Sequence, residues 1–143
     1  MLGQKELKKW INTAVTNQLC ADKPNEIMRV SLLRAKYAEN LAPIFEMGGQ
    51  SGELFLMGLF SVLDLIIGKP MAEALELVKV SKEIREALID GEGHFAPVLE
   101  FIKQYENANW REIDRMMLLE KMDSDKVYEA YTGALRWYRD LFS

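Results

Sequence analysis

The sequence predicts an all-α protein, a compact bundle of about eight helices. Apolar residues recur at spacings of three and four along most of the chain. Gly and Pro punctuate it at helix-length intervals, and no run alternates apolar and polar residues as a half-buried strand would.

Leu7, Trp10, Ile11, Ala14, Val15 and Leu19 define an amphipathic helix over 5–20, which "ADKP" ends. Asn25 is a good N-cap for a second helix, with Ile27, Val30, Arg34, Tyr37, Ala38 and Leu41 on its stripe. It stops near 43–45, ahead of the Gly48-Gly49 breaker. A third helix, about 52–67, is apolar on all sides and belongs at the centre of the bundle, with Gly68 as its C-terminal cap. Pro70 suits the first turn of a short fourth helix, about 70–78. Ser81 caps a fifth, "KEIREALID", which stops at Gly91. After the loop "GEGHFAP", Pro97 opens a sixth helix through Leu99, Ile102 and Tyr105. Asn109 and Glu112 have capping-box spacing and open a seventh helix to about Met122. The last helix, 124–142, carries Val127, Tyr131, Leu135, Tyr138 and Phe142 on one face. "YENANW" has the look of a helical-repeat turn, but no fixed period follows and a solenoid is excluded.

A chain of 143 residues fits one domain, 1–143, and can bury roughly two thirds of its unfolded surface. Its 49% hydrophobic and 28% charged residues fit a globular protein. A net charge of −4 gives no basic face for a nucleic-acid backbone. The longest apolar run, 54–67, is interrupted by Ser61 and Asp64 and is too short to span a bilayer, so no membrane role is expected. Cys20 is the only cysteine, which fits a reducing compartment, and "MLGQKELKKW" lacks the apolar core of a signal peptide. A cytoplasmic location is the expectation.

The chain has a single histidine, His94. A mononuclear hydrolytic metal centre draws several His and carboxylates into one pocket, so this scarcity argues against a metal cofactor. His94 in "GEGHF" reads as a loop residue bonded to backbone or water. Asp64 is an acid on an apolar helix and needs a partner, and Arg34, on the apolar stripe of its own helix, is the candidate for a buried ion pair. Cys20 lacks an adjacent base and reads as packing. Ser61 lacks a Gly-x-Ser-x-Gly elbow, and Gly58-x-x-Ser61 reads as close helix packing. The methionines, with Tyr128, Tyr131, Trp137 and Tyr138, read first as core.

"GLFSVLDLIIGKP" (58–70) has the rhythm of a phosphohydrolase signature in which a hydrophobic helix presents a His-Asp pair and is followed by Gly-Lys. The phrases "LGQKELKKWI", "RVSLLRAKYAENLA", "ELFLMGLFSVLDLIIGKPM", "VSKEIREALIDGEG" and "VLEFIKQYENANW" occur in an order that resembles the C-terminal portion of HDOD domains, the HD-related output domains of bacterial signalling proteins. The likeness is greatest to the subgroup in which this domain follows an EAL domain, the cyclic di-GMP phosphodiesterase or receptor module. The resemblance covers nearly the whole chain. It implies an HD-domain-like helical fold and a degenerate HD-like motif at Ser61, Val62 and Asp64. With Ser61 and Val62 in place of the His-Asp pair, no catalytic residue and no cofactor carry over.

The function this implies is a non-catalytic regulatory and protein-interaction module of bacterial signal transduction, linked to cyclic di-GMP through an EAL domain. The partner would be another protein, the covalently linked EAL domain, or a second copy. HDOD domains begin with further helices before the segment matching Leu2-Gly3, so an uncovered apolar patch at Trp10, Ile11, Val15 and Leu32 is expected to form a homodimer. The rival reading is a divergent HD-type metal-dependent phosphohydrolase with carboxylate ligands such as Asp64, Glu53 and Glu39. A third is small-ligand sensing in a pocket lined by Met57, Phe60 and Tyr37.

Overall fold

The computed structural model describes residues 24–141, and every regular element among them is helical. Eight α-helices follow in order: α1 (Pro24–Leu41), α2 (Ser51–Phe60), α3 (Leu63–Ile67), α4 (Met71–Ala74), α5 (Lys82–Arg85), α6 (Ala96–Glu106), α7 (Trp110–Leu119) and α8 (Ser124–Leu141). The expected helix over 5–20, with Trp10, Ile11, Val15 and Cys20, lies outside the described residues, as does Phe142.

α1 is the hub. It packs most extensively on α2, then on α8 and α6. It buries Met28, Leu32, Ala35, Tyr37, Ala38 and Leu41, residues spread around its circumference. The expected surface role of Leu32 is therefore corrected: its side chain is fully buried beneath α2, and it cannot reach a partner. α1 and α2 approach unusually closely because Gly58 has no side chain. A Cβ there would stand 2.6 Å from the Ala35 nitrogen, against the backbone of α1. Ser31, buried at the same contact, donates to the Leu59 carbonyl at 2.6 Å. Gly58 thus acts as the close-packing residue its spacing suggests.

The apolar run 52–67 is not one helix. It breaks at Ser61-Val62, where Val62 takes φ −119°, and restarts as α3. The Ser61 hydroxyl donates to the Gly58 carbonyl at 2.7 Å, a local bond that competes with helix continuation. Gly68 closes α3 in the left-handed conformation, φ 77°, and the Gly68 and Lys69 N–H groups both donate to the Asp64 carbonyl.

Pro70 precedes α4 in an extended conformation, not in its first turn, and a 3₁₀ turn (Leu75–Leu77) ends that segment. Ser81 caps α5 through a bond from the Ile84 N–H. α5 runs into a π-helical turn (Glu86–Asp90) that stops at the left-handed Gly91. The Asn109/Glu112 capping box does not form: the Asn109 side chain accepts no backbone N–H of α7, and its amide nitrogen donates to the Gln104 side chain. α7 ends at Leu119, short of Met122, and leaves Leu118 and Leu119 exposed. α8 buries Val127, Ala130 and Ala134, so its inner face is centred on small residues that let it lie close on α1. Asn40 fixes that contact by donating to the Ala130 carbonyl at 3.0 Å.

The two core clusters meet along α1 and α2. Phe95, Phe101, Ile102, Leu41 and Met57 anchor one. Leu59, Phe60, Leu63 and Leu75 anchor the other, with Trp137 of α8 edge-on to Phe55 at 6.1 Å.

Candidate functional site

The helix break sets the site. Ser61 sits where α2 ends, and its hydroxyl oxygen accepts from Arg34 Nη1 at 3.2 Å. Arg34 reaches across to α6, where Nε and Nη2 donate to the two Glu106 carboxylate oxygens, each at 2.8 Å. This is the bidentate fork that a planar guanidinium forms best. The expected Arg34–Asp64 ion pair is thereby corrected. The Arg34 side chain, 14% exposed, turns toward α6, and Glu106 completes the fork from 72 residues away. Asp64 lies in the first turn of α3, half-buried, with no ion pair among the described residues. Its position at a helix N-terminus suits a negative charge. Val62, the residue after Ser61, is buried in the core.

The other carboxylates named with Asp64 stand in separate settings. Glu39 pairs with Lys36 at 2.7 Å on α1, and Lys36 Nζ also lies over the Trp137 ring. Glu53 accepts the Ser81 hydroxyl at 2.9 Å. No group of three or more His, Cys, Asp or Glu is placed to hold a metal ion among the described residues. His94 is exposed in the turn before α6, its ring 5.7 Å from Phe95.

Beside the Arg34–Glu106 fork a cavity of about 250 Å³ opens between α1, α6 and α8. Val30, Leu33, Ile102 and Ala134 form its apolar walls, with Tyr37 and Tyr131. Glu26 and Arg29 stand with the fork as its charged members. The expected pocket of Met57, Phe60 and Tyr37 is not this one: Tyr37 lines the cavity, but Met57 and Phe60 are packed into the two cores. Tyr37 makes edge contacts with Tyr105 at 5.5 Å and Tyr131 at 5.4 Å, and Tyr105 leads outward to Trp110 at 5.3 Å. Trp110 and Tyr128 are more than half exposed, so Tyr128 is surface and not core.

The Tyr37 hydroxyl is buried without a hydrogen-bond partner among the described residues. Burial, reinforced by the neighbouring Tyr105 and Tyr131 phenols, pushes its pKa far above the ordinary 10.0. The folded protein therefore keeps this proton where the unfolded chain releases it. Stability does not depend on pH through this group below about pH 10 and falls as the pH rises further, because only the unfolded chain ionises freely. Tyr37→Phe removes an unpaired polar group and is expected to stabilise the protein by about 1 kcal/mol at neutral pH. It should also flatten the alkaline loss of stability, as read by urea melts between pH 7 and pH 11.

No protein-family model matches the sequence, and no solved structure matches it. Curated relatives do. Over 140 residues, 98% of this chain, it is 27% identical to cyclic di-GMP phosphodiesterase CdgJ of Vibrio cholerae, covering 32% of that protein. Over 144 aligned positions, 99% of this chain, it is 29% identical to the uncharacterized protein YuxH of Bacillus subtilis, covering 34% of it. The relation is distant. The chain spans about a third of the length of these relatives. No helix among the described residues is long and apolar enough to cross a membrane.

Proposed function

We propose that this chain is a non-catalytic regulatory and protein-interaction module of bacterial signal transduction, HDOD-like in kind, acting in the cytoplasm beside an EAL-type cyclic di-GMP module. The observation that carries the reading is the use made of the motif positions. Where an HD enzyme would present metal ligands, Ser61 bonds to Gly58 and Arg34, and Val62 is buried. The dispersal of Glu39, Glu53 and Asp64 supports the same reading over a carboxylate-only metal centre. A likeness to a protein named as a cyclic di-GMP phosphodiesterase supports the signalling context. Because the chain matches only a third of that protein, the named activity can reside in the remainder.

Recognition would be by helix faces. Trp110, Leu118 and Leu119 of α7 and Tyr128 of α8 are exposed apolar residues, available to a protein partner, a linked EAL domain or a second copy. The test is elemental analysis of the purified chain after dialysis against a chelator. Less than a tenth of an equivalent of Mn, Fe, Zn or Mg is expected, on the order of background for a protein without a metal-ligand cluster. One equivalent retained would overturn the reading.

A further inference from the structure

We propose that the cavity between α1, α6 and α8 binds a small monocarboxylate with an apolar or aromatic body. The proposal goes beyond the signalling role and does not depend on any link to cyclic di-GMP.

The donor inventory comes first. A guanidinium carries five N–H donors. Arg34 commits three of them, from Nε and Nη2 to Glu106 and from Nη1 to Ser61. One N–H on each terminal nitrogen remains, on a group held in place from both sides. Arg29, also lining the cavity, makes no side-chain hydrogen bond or ion pair among the described residues. The cavity thus has a fixed guanidinium with spare donors and a second, uncommitted one. Arg–carboxylate recognition uses this type of donor set.

Charge selects among anions. Glu26 and Glu106 offset Arg29 and Arg34 one for one, so the lining has no net charge. A monoanion can be met by Arg29 without a large surplus of negative charge. A phosphate dianion, or the two phosphodiesters of a cyclic dinucleotide, would bring a charge that nothing in the lining balances. Size and polarity point the same way. About 250 Å³ falls just below the usual range of small-molecule pockets, and the walls are aliphatic with two tyrosines, Tyr37 and Tyr131. Such a space fits a body of one ring or a short branched chain.

Isothermal titration of the purified chain tests this, with phenylacetate and 3-methylbutanoate as probes. Acetate, 2-phenylethanol and inorganic phosphate are the comparators. Phenylacetate or 3-methylbutanoate should bind saturably at one site. Acetate, lacking the body, and 2-phenylethanol, lacking the charge, should each bind at least about tenfold more weakly. Arg29 is exposed and uncommitted, so Arg29→Gln should keep the wild-type melting temperature while weakening the carboxylate about tenfold. Val30→Trp, which fills the cavity from its wall, should abolish binding. Saturation by neither probe, unchanged affinity in Arg29→Gln, or phosphate binding tighter than phenylacetate would overturn the proposal.

Discussion

Gly58→Ala is expected to destabilise the protein by about 3 kcal/mol, the upper end of the usual cost of overpacking. The sign makes the test sharp. In an exposed helix interior the same change gains up to about 1 kcal/mol, because alanine is the better helix former. Gly58 lies inside α2, so propensity alone predicts a gain. Packing predicts a loss, because the new methyl would meet the carbonyl of Arg34 and the nitrogen of Ala35, both backbone atoms. No rotamer change relieves such a contact. Only separation of α1 from α2 does, and that would also pull Ser31 off the Leu59 carbonyl and Ser61 off Arg34. Urea denaturation of the variant beside wild type gives the answer, and a variant as stable as wild type would mean the two helices can part at little cost.

Phe101→Ala should cost about 3–5 kcal/mol, the range for truncating a buried aromatic. Phe101 is fully buried in α6 and meets Phe45 edge-on at 5.7 Å and Tyr105 at 6.3 Å. Its loss opens a void under the aromatic cluster that carries Tyr37 and Tyr131. Rigid helices on either side allow little collapse, so the cavity term adds to the lost transfer energy. Thermal and urea melts should agree on the loss, and Phe101→Leu should recover much of it by refilling the space.

The helical class and most boundaries were legible because they depend on local chemistry. Gly68 and Gly91 adopt left-handed conformations that end their helices, and Ser81 caps α5 through its own hydroxyl. These signals act within a few residues of where they are read. The break at Ser61-Val62 was hidden because Ser61 is flanked by apolar residues and its bonds to Gly58 and to Arg34, 27 residues away, cannot be read from the run itself. The partner of Arg34 was missed for a different reason. A charge on an apolar stripe demands an opposite charge, but the sequence does not say from which helix it comes. Asp64 was the conspicuous acid, while Glu106 is the last residue of an amphipathic helix, among polar neighbours that do not single it out. Leu32 was misjudged because α1 is covered on several faces, which a single amphipathic stripe does not reveal. The cavity between α1, α6 and α8 was not legible: the expected pocket of Met57, Phe60 and Tyr37 shares only Tyr37 with it, because its walls come from three helices far apart in sequence.

The central claim is that the HD-like positions hold the fold and perform no chemistry. Hydrolysis tests it most directly: the purified chain is incubated with cyclic di-GMP, and separately with bis(p-nitrophenyl) phosphate, with Mn²⁺ or Mg²⁺ supplied, and product is followed by chromatography and absorbance. The account predicts no turnover above the metal-only blank, for wild type and for Ser61→Ala alike. Metal-dependent turnover that copurifies with the chain and falls in Ser61→Ala or Asp64→Asn variants of unchanged stability would contradict it.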